Sequence, residues 1–267
     1  MTGCLIALLV ILILCAGLGI VGTILGFGIG IGGAFRNSVT EPARTFPVSG
    51  SPAALILNSD AGSVTVNSGN TGSIIVQATK YASFGGNVNN VQVNYSSPNG
   101  NTLNVTVQRS GSFNFFNSTS VDFIITVPTT TDLQITTNAG SINVSGVTGK
   151  MSLISNAGTI GATQASLTGS STFRTNAGSI NFDGSIGATG TYDFETNAGS
   201  IDMTLPGTAS FHLNASTNAG SITIGFPAVS VQHSGAGSTA NGDVGNTPGA
   251  ILTLRTNAGS ITLNKGS

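Results

Sequence analysis

The chain has 267 residues, of which only 6% are charged, with 38 glycines, no tryptophan and a formal net charge of −1. Average soluble domains carry roughly 25% charged residues, and so neutral a chain offers no basic field for nucleic acid or anionic lipid, which excludes nucleic acid as a partner. Both cysteines, Cys4 and Cys15, lie in the first apolar stretch, which rules out a disulfide framework or a cysteine-based zinc site elsewhere.

No charged side chain occurs between Thr2 and Phe35. Residues 1–35 therefore read as a transmembrane anchor. Residues 5–31 would extend about 40 Å as a helix, more than the bilayer's hydrocarbon thickness of about 30 Å. A cleaved secretory signal would need a basic start, a shorter apolar core and a small-residue cleavage site, and Leu14 stands where a lipoprotein signal would place a small residue before Cys15. Gly22, Gly26 and Gly30 recur on one helical face, the spacing that lets two helices approach and associate weakly, although glycine is common in membrane helices anyway. Residues 36–52 hold Arg36, Glu41, Arg44, Pro42, Pro47 and Pro52 without periodicity and read as an extended linker.

Residues 53–267 read as one β-domain with an irregular first part, 53–131, and a repetitive second part, 132–267. In the first part, Val91–Tyr95 and Leu103–Val107 alternate as strands around a turn at 96–101, and Phe123–Val127 ends at Pro128. This part is expected to start and cap the sheet system of the second. There the motif Asn-Ala-Gly-Ser/Thr-Ile begins at Asn138, Asn156, Asn176, Asn197, Asn218 and Asn257, at spacings of 18, 20, 21, 21 and 39. A weaker copy starts at Asp60. A repeat near 20 residues signals a stacked architecture.

Aligned on the asparagine, apolar residues alternate on both sides of the motif. Ile135, Leu153, Phe173, Phe194, Ala215 and Leu254 precede it by three, and Ile142, Ile160, Ile180, Ile201, Ile222 and Ile261 follow it by four. Period two is the mark of a strand with one buried face. No single unit can bury that face alone, whereas stacking units about 4.8 Å apart buries all of them. The fold expected is all-β, a β-solenoid of strand–turn–strand coils of about 20 residues behind one N-terminal transmembrane helix. The six asparagines would line up in chain order as a buried amide ladder. Gly140, Gly158, Gly178, Gly199, Gly220 and Gly259 would supply positive φ at the bend. Thr137, Ser155, Thr175, Thr196, Thr217 and Thr256 share parity with the inward row and are expected beside the turn, bonded to backbone. Arg174 and Glu195 should sit side by side on the surface. His233–Gly249 is rich in Gly and Ser and reads as a loop or a motif-less coil.

The segment Gly72-Ser73-Ile74-Ile75-Val76, the segment Phe123-Ile124-Ile125-Thr126-Val127-Pro128, and Leu133-Gln134-Ile135 leading into successive Asn-Ala-Gly-Ser-Ile turns resemble a bacterial adhesin-like repeat domain family of unknown function, over about residues 53–265. The resemblance implies a β-solenoid, in many members with an N-terminal membrane anchor, and carries over no catalytic residue.

For chemistry, the nine acids are scattered. Asp183 and Asp202 would meet in neighbouring coils, with Asp193 near, the one place for an acid–base pair. His212 and His233 lack a ligand set for metal, and no nucleophile elbow is present. No cofactor, metal or catalytic residue is assigned. The expectation is a single-pass membrane protein whose solenoid faces outward and binds a glycan or protein, or serves as a structural module, without catalysis. An envelope-stress or sensory accessory domain is the alternative, and a solenoid carbohydrate-active enzyme a more distant one.

Overall fold

A computed structural model describes residues 36–83, 86–110, 119–246 and 248–266. The expected transmembrane helix lies outside the described residues. Among those that are described, no helix is long and apolar enough to cross a membrane.

The described residues form two sheets, of eleven and twelve strands, facing each other across one apolar core. Each coil contributes a strand to one sheet, turns at the Asn-Ala-Gly-Ser corner, and contributes a strand to the other. Parallel pairing keeps the repeats in register: Leu153 lies between Ile135 and Phe173, and Ile160 between Ile142 and Ile180. Both aligned rows are buried along the whole stack. Phe173, Phe182 and Phe194 pack together, with Phe173 and Phe194 stacked at 4.6 Å between centroids. Burial of such rings dominates the local core energetics.

The coils do not stack in chain order. From one end they run 53–69, 131–149, 151–167, 171–186, 189–206, 249–266 and 211–224. Residues 249–266 are thus inserted between two coils that are consecutive in the chain. Asn218, expected beside Asn197, lies beyond Asn257. The reason is length. Thr189–Ala198 and Ile201–Pro206 match Gly249–Ala258 and Ile261–Gly266 residue for residue. In coil 211–224 the second strand stops after Ile224 and Pro227 follows, so this shorter coil suits the end, where Phe211 and Phe226 close the core edge to face at 5.5 Å.

Each end is covered by antiparallel strands. At the first, Ser73–Ser83 pairs with Thr119–Pro128, and Val91–Ser96 with Thr102–Arg109, as the irregular part was expected to do. At the other, Gly237–Val244 lies against Phe211–Ala219 and Val231–Ser234 against Gly237–Val244. The segment expected as a loop at 233–249 is therefore largely a capping hairpin, and its small residues reflect close approach to the stack. Residues 36–52 are likewise not an extended tether. Arg36–Thr40 and Arg44–Pro47 are antiparallel to Ser73–Ser83. Lys80 Nζ bonds Glu41 at 2.6 Å, Phe46 stacks on Tyr95 at 5.4 Å, and the Arg44 guanidinium lies over that ring at 4.8 Å. Three prolines masked a strand pair that needs few ladder donors at a sheet edge.

Candidate functional site

The motif residues build a ridge along one edge of the stack. Each asparagine amide donates to the carbonyl of its neighbour: Asn156 to Asn138, Asn176 to Asn156, Asn197 to Asn176, Asn257 to Asn197 and Asn218 to Asn257, at 2.9–3.0 Å. Asp60 ends the line. It accepts from Asn138 at 3.2 Å and faces Arg109 at 3.5 Å. The asparagines and the alanines after them are exposed, so the expectation of a buried amide ladder is corrected. Their parity is outward, and water reaches the amides from the side.

The buried polar column is one residue earlier. Ser155, Thr175, Thr196, Thr256 and Thr217 are almost fully buried. Their hydroxyls donate to the carbonyls of Gly140, Gly158, Gly178, Gly199 and Gly259, one coil away, at 2.8–2.9 Å. Ser238 of the capping hairpin continues the column by donating to Gly220. Thr137 is the exception, a fully buried hydroxyl without a partner. The glycines have two reasons to be glycine. Gly158, Gly178, Gly199, Gly220 and Gly259 have φ between 149° and 155°, whereas Gly140 does not adopt the positive φ expected of it and is held to glycine by the second reason alone. A Cβ on any of the six would collide with the carbonyl oxygen of the corner glycine in the adjacent coil. That collision, absent from the sequence argument, is the stronger constraint.

Most acids act as structural acceptors. Asp122 accepts from the Ser63 amide and Asp132 from the Lys150 amide, both at 2.8 Å. Glu195 meets Arg174 at 3.3 Å, as the alignment requires, and Asp243 meets His212 at 2.6 Å across the cap. His233 bonds Ser238. Asp183 and Asp202 are on one outward face but not directly opposed, since Asp183 pairs with Thr204 and Asp202 with Asn181. Asp193 is in the other sheet and is not brought to them. No group of three metal-ligating side chains occurs among the described residues.

Asp183 lines a groove of about 420 Å³ together with Gln164, Ser166, Ser185, Thr204 and Pro206. It forms where coil 151–167 bulges between Thr163 and Ala165. Gln164, at φ 52°, is the one non-glycine residue with positive φ among the described residues. The Ser185 hydroxyl donates to that of Ser166 at 3.0 Å, and the floor is contributed by Ala165 and Leu205. Sequence reasoning missed the groove. Its signal was the unequal spacing of the coils on either side.

Residues 116–264, over half of the chain, match the Toastrack DUF4097 family. The chain belongs to this family. The Toastrack match takes in every full copy of the Asn-Ala-Gly motif. Two solved structures are similar to this Toastrack chain. One, a Clostridium sporogenes protein provisionally assigned to cell adhesion, is 12% identical over 86% of this chain and 100% of its own, with TM-score 0.49. The other, a Bacteroides fragilis protein provisionally assigned as an adhesin, is 13% identical over 85% and 97%, with TM-score 0.37. No curated protein matches the chain.

Proposed function

We propose that this Toastrack chain is a non-catalytic, adhesin-like module of the cell surface, anchored in the membrane through residues 5–31, with the solenoid outside. The observation that carries this reading is the docking of residues 36–47 on Ser73–Ser83. Arg36–Thr40, the first described strand, follows the uncharged stretch closely in the sequence, so an anchor in that stretch would hold the solenoid near the membrane. Rigid display suits binding or structural support better than a role needing a free tether. The outward columns support a neutral polar partner, a glycan or a protein surface. One runs through Asn143, Gly161, Asn181, Asp202 and Thr262, another through Ser145, Thr163, Asp183, Thr204 and Asn264.

The positive-inside rule pulls against this orientation, because Arg36 and Arg44 follow the apolar stretch and only the α-amino group precedes it. Two arginines, one offset by Glu41, are a weak determinant, and long domains translocate despite flanking charge. The test is proteolysis of intact cells, followed by a cell-binding assay on cells lacking residues 53–267. Loss of the solenoid from intact cells, a spared cytoplasmic control and reduced binding are expected. Cleavage only after lysis would overturn the outward orientation and the adhesin-like role together.

A further inference from the structure

Strand Phe211–Ala219 is held on both edges by one continuous stretch of chain. Gly237–Val244 pairs with it antiparallel, from Phe211↔Val244 to Thr217↔Ser238. Gly249–Ala258 pairs with its other edge in parallel, from His212↔Ile251 to Ala219↔Ala258. Residues 231–266 therefore form a clasp around coil 211–224, and one arm of the clasp also fills the slot against coil 189–206.

We propose that this clasp exchanges between two copies of the chain, so that residues 231–266 of one copy grip coil 211–224 and coil 189–206 of another. Three observations carry it. First, the seated coil and the inserted coil share the heptapeptide Thr-Asn-Ala-Gly-Ser-Ile-Thr, at Thr217–Thr223 and Thr256–Thr262. Each presents the same ladder groups, so the amide line from Asn197 through Asn257 to Asn218 forms equally well with Asn257 from either copy.

Second, a simple chain-order zipper cannot build the stack. Coil 211–224 emerges before the coil on which it sits, and its place stays open until 249–266 arrives. During that interval the slot accepts any chain bearing the heptapeptide. Third, the connection between Ile224 and Val231 is short and contains Gly225 and Pro227, the type of constrained linker at which exchanged elements part. Closed and exchanged forms share every contact outside the connection, so concentration selects between them. Anchoring in a common membrane, which rests on the function proposed above, would raise the local concentration of neighbours.

The test uses the full chain in detergent with Cys4 and Cys15 changed to Ser, and does not depend on membrane orientation. Glu195 and Arg255 are in register on adjacent strands, within disulfide reach for facing Cα atoms, and point outward. Glu195→Cys and Arg255→Cys chains are unfolded separately, mixed, refolded together at rising concentration and oxidised. A disulfide-linked two-copy species that increases with concentration is expected. Mixing Glu195→Cys with Asn143→Cys chains, whose sites lie in different sheets, should give none. The double variant refolded at high dilution should instead close within one copy, which checks the register independently of exchange. Side-by-side association through the apolar segment leaves Glu195 and Arg255 of different copies apart and gives no cross-link. Mixed chains that stay unlinked at every concentration while the double variant closes internally would overturn the proposal, as would linkage of the Asn143→Cys mixture to the same extent.

Discussion

Thr196 and Thr137 occupy equivalent places in the stack, are 1% and 0% exposed, and differ in hydrogen bonding. The Thr196 hydroxyl donates to the Gly178 carbonyl at 2.8 Å, whereas that of Thr137 has no partner. Valine has nearly the same shape as threonine and lacks the hydroxyl, so it isolates that difference. Thr196→Val takes from a half-buried carbonyl its hydroxyl donor and is expected to cost about 1–2 kcal/mol. Thr137→Val removes a hydroxyl already desolvated without compensation, a burden of about 1–3 kcal/mol on the protein scale. That variant should be neutral or more stable than the parent. The two should differ by at least about 1 kcal/mol, or a separation of urea midpoints on the order of 0.5 M. Midpoints are the safer readout, because stacked repeats need not unfold in one step. If the two valines shift the midpoint equally, or Thr137→Val is the more damaging, hydroxyl-to-carbonyl bonding does not set the stability of the corners.

The corner glycine and the N-terminal cap give two further tests. Gly178→Ala forces a Cβ against the Gly158 carbonyl at a φ of 155° and should cost about 3 kcal/mol from strain and overpacking together; Asn176→Ala, on the exposed ridge, should cost well under about 1.5 kcal/mol, and comparable urea midpoints for the pair would contradict the packing argument. Burial, and then the Glu41 carboxylate, push the Tyr95 phenol up to about 12, with Arg44 opposing. The folded value lies above the unfolded value near 10, so the stabilisation is intact below about pH 10 and is lost as pH rises towards about 12. Thermal midpoints across that range should fall more steeply for the parent than for Tyr95→Phe, and parallel curves would refute the assignment.

The coil itself was legible in the sequence because both of its signals are local. Alternation around each asparagine fixed the inward rows, and the repeat length fixed their columns. Solenoid architecture, the Thr column and the Arg174–Glu195 contact followed. The order of coils was not legible. Each repeat carries the same corner, so the motif specifies that coils stack without specifying which neighbours they take. That choice rests on strand length and on what covers the ends, quantities that depend on partners distant in the chain. The amide ladder was placed on the right line and the wrong side of the surface, because hydrogen bonding between asparagines was equated with burial. The strands at 36–47 were hidden for a related reason: edge strands tolerate prolines that would be fatal in the middle of a sheet.

The scarcity of charge is a consequence of the stacking. In a parallel, in-register stack every position becomes a column with a spacing of about 4.8 Å. Two like charges at that separation repel by about 1 kcal/mol even in water, and a column multiplies the cost by the number of contacts. Asn, Thr and Ser avoid it while supplying donors and acceptors to neighbours above and below. A column can still hold charge if the sign alternates. Arg174, Glu195 and Arg255 are consecutive neighbours in one outward column, and they are so because coil 249–266 is inserted after coil 189–206. In chain order the neighbour of Glu195 would have been Ser216, with Arg255 beyond it. An exposed pair such as Arg174–Glu195 contributes only about 0.2–1 kcal/mol, but opposite signs at adjacent positions act in the same direction as the matched strand lengths. Sign alternation and strand length thus favour the same spatial order, an agreement between independent determinants that a stack of nearly identical coils needs in order to settle on one arrangement.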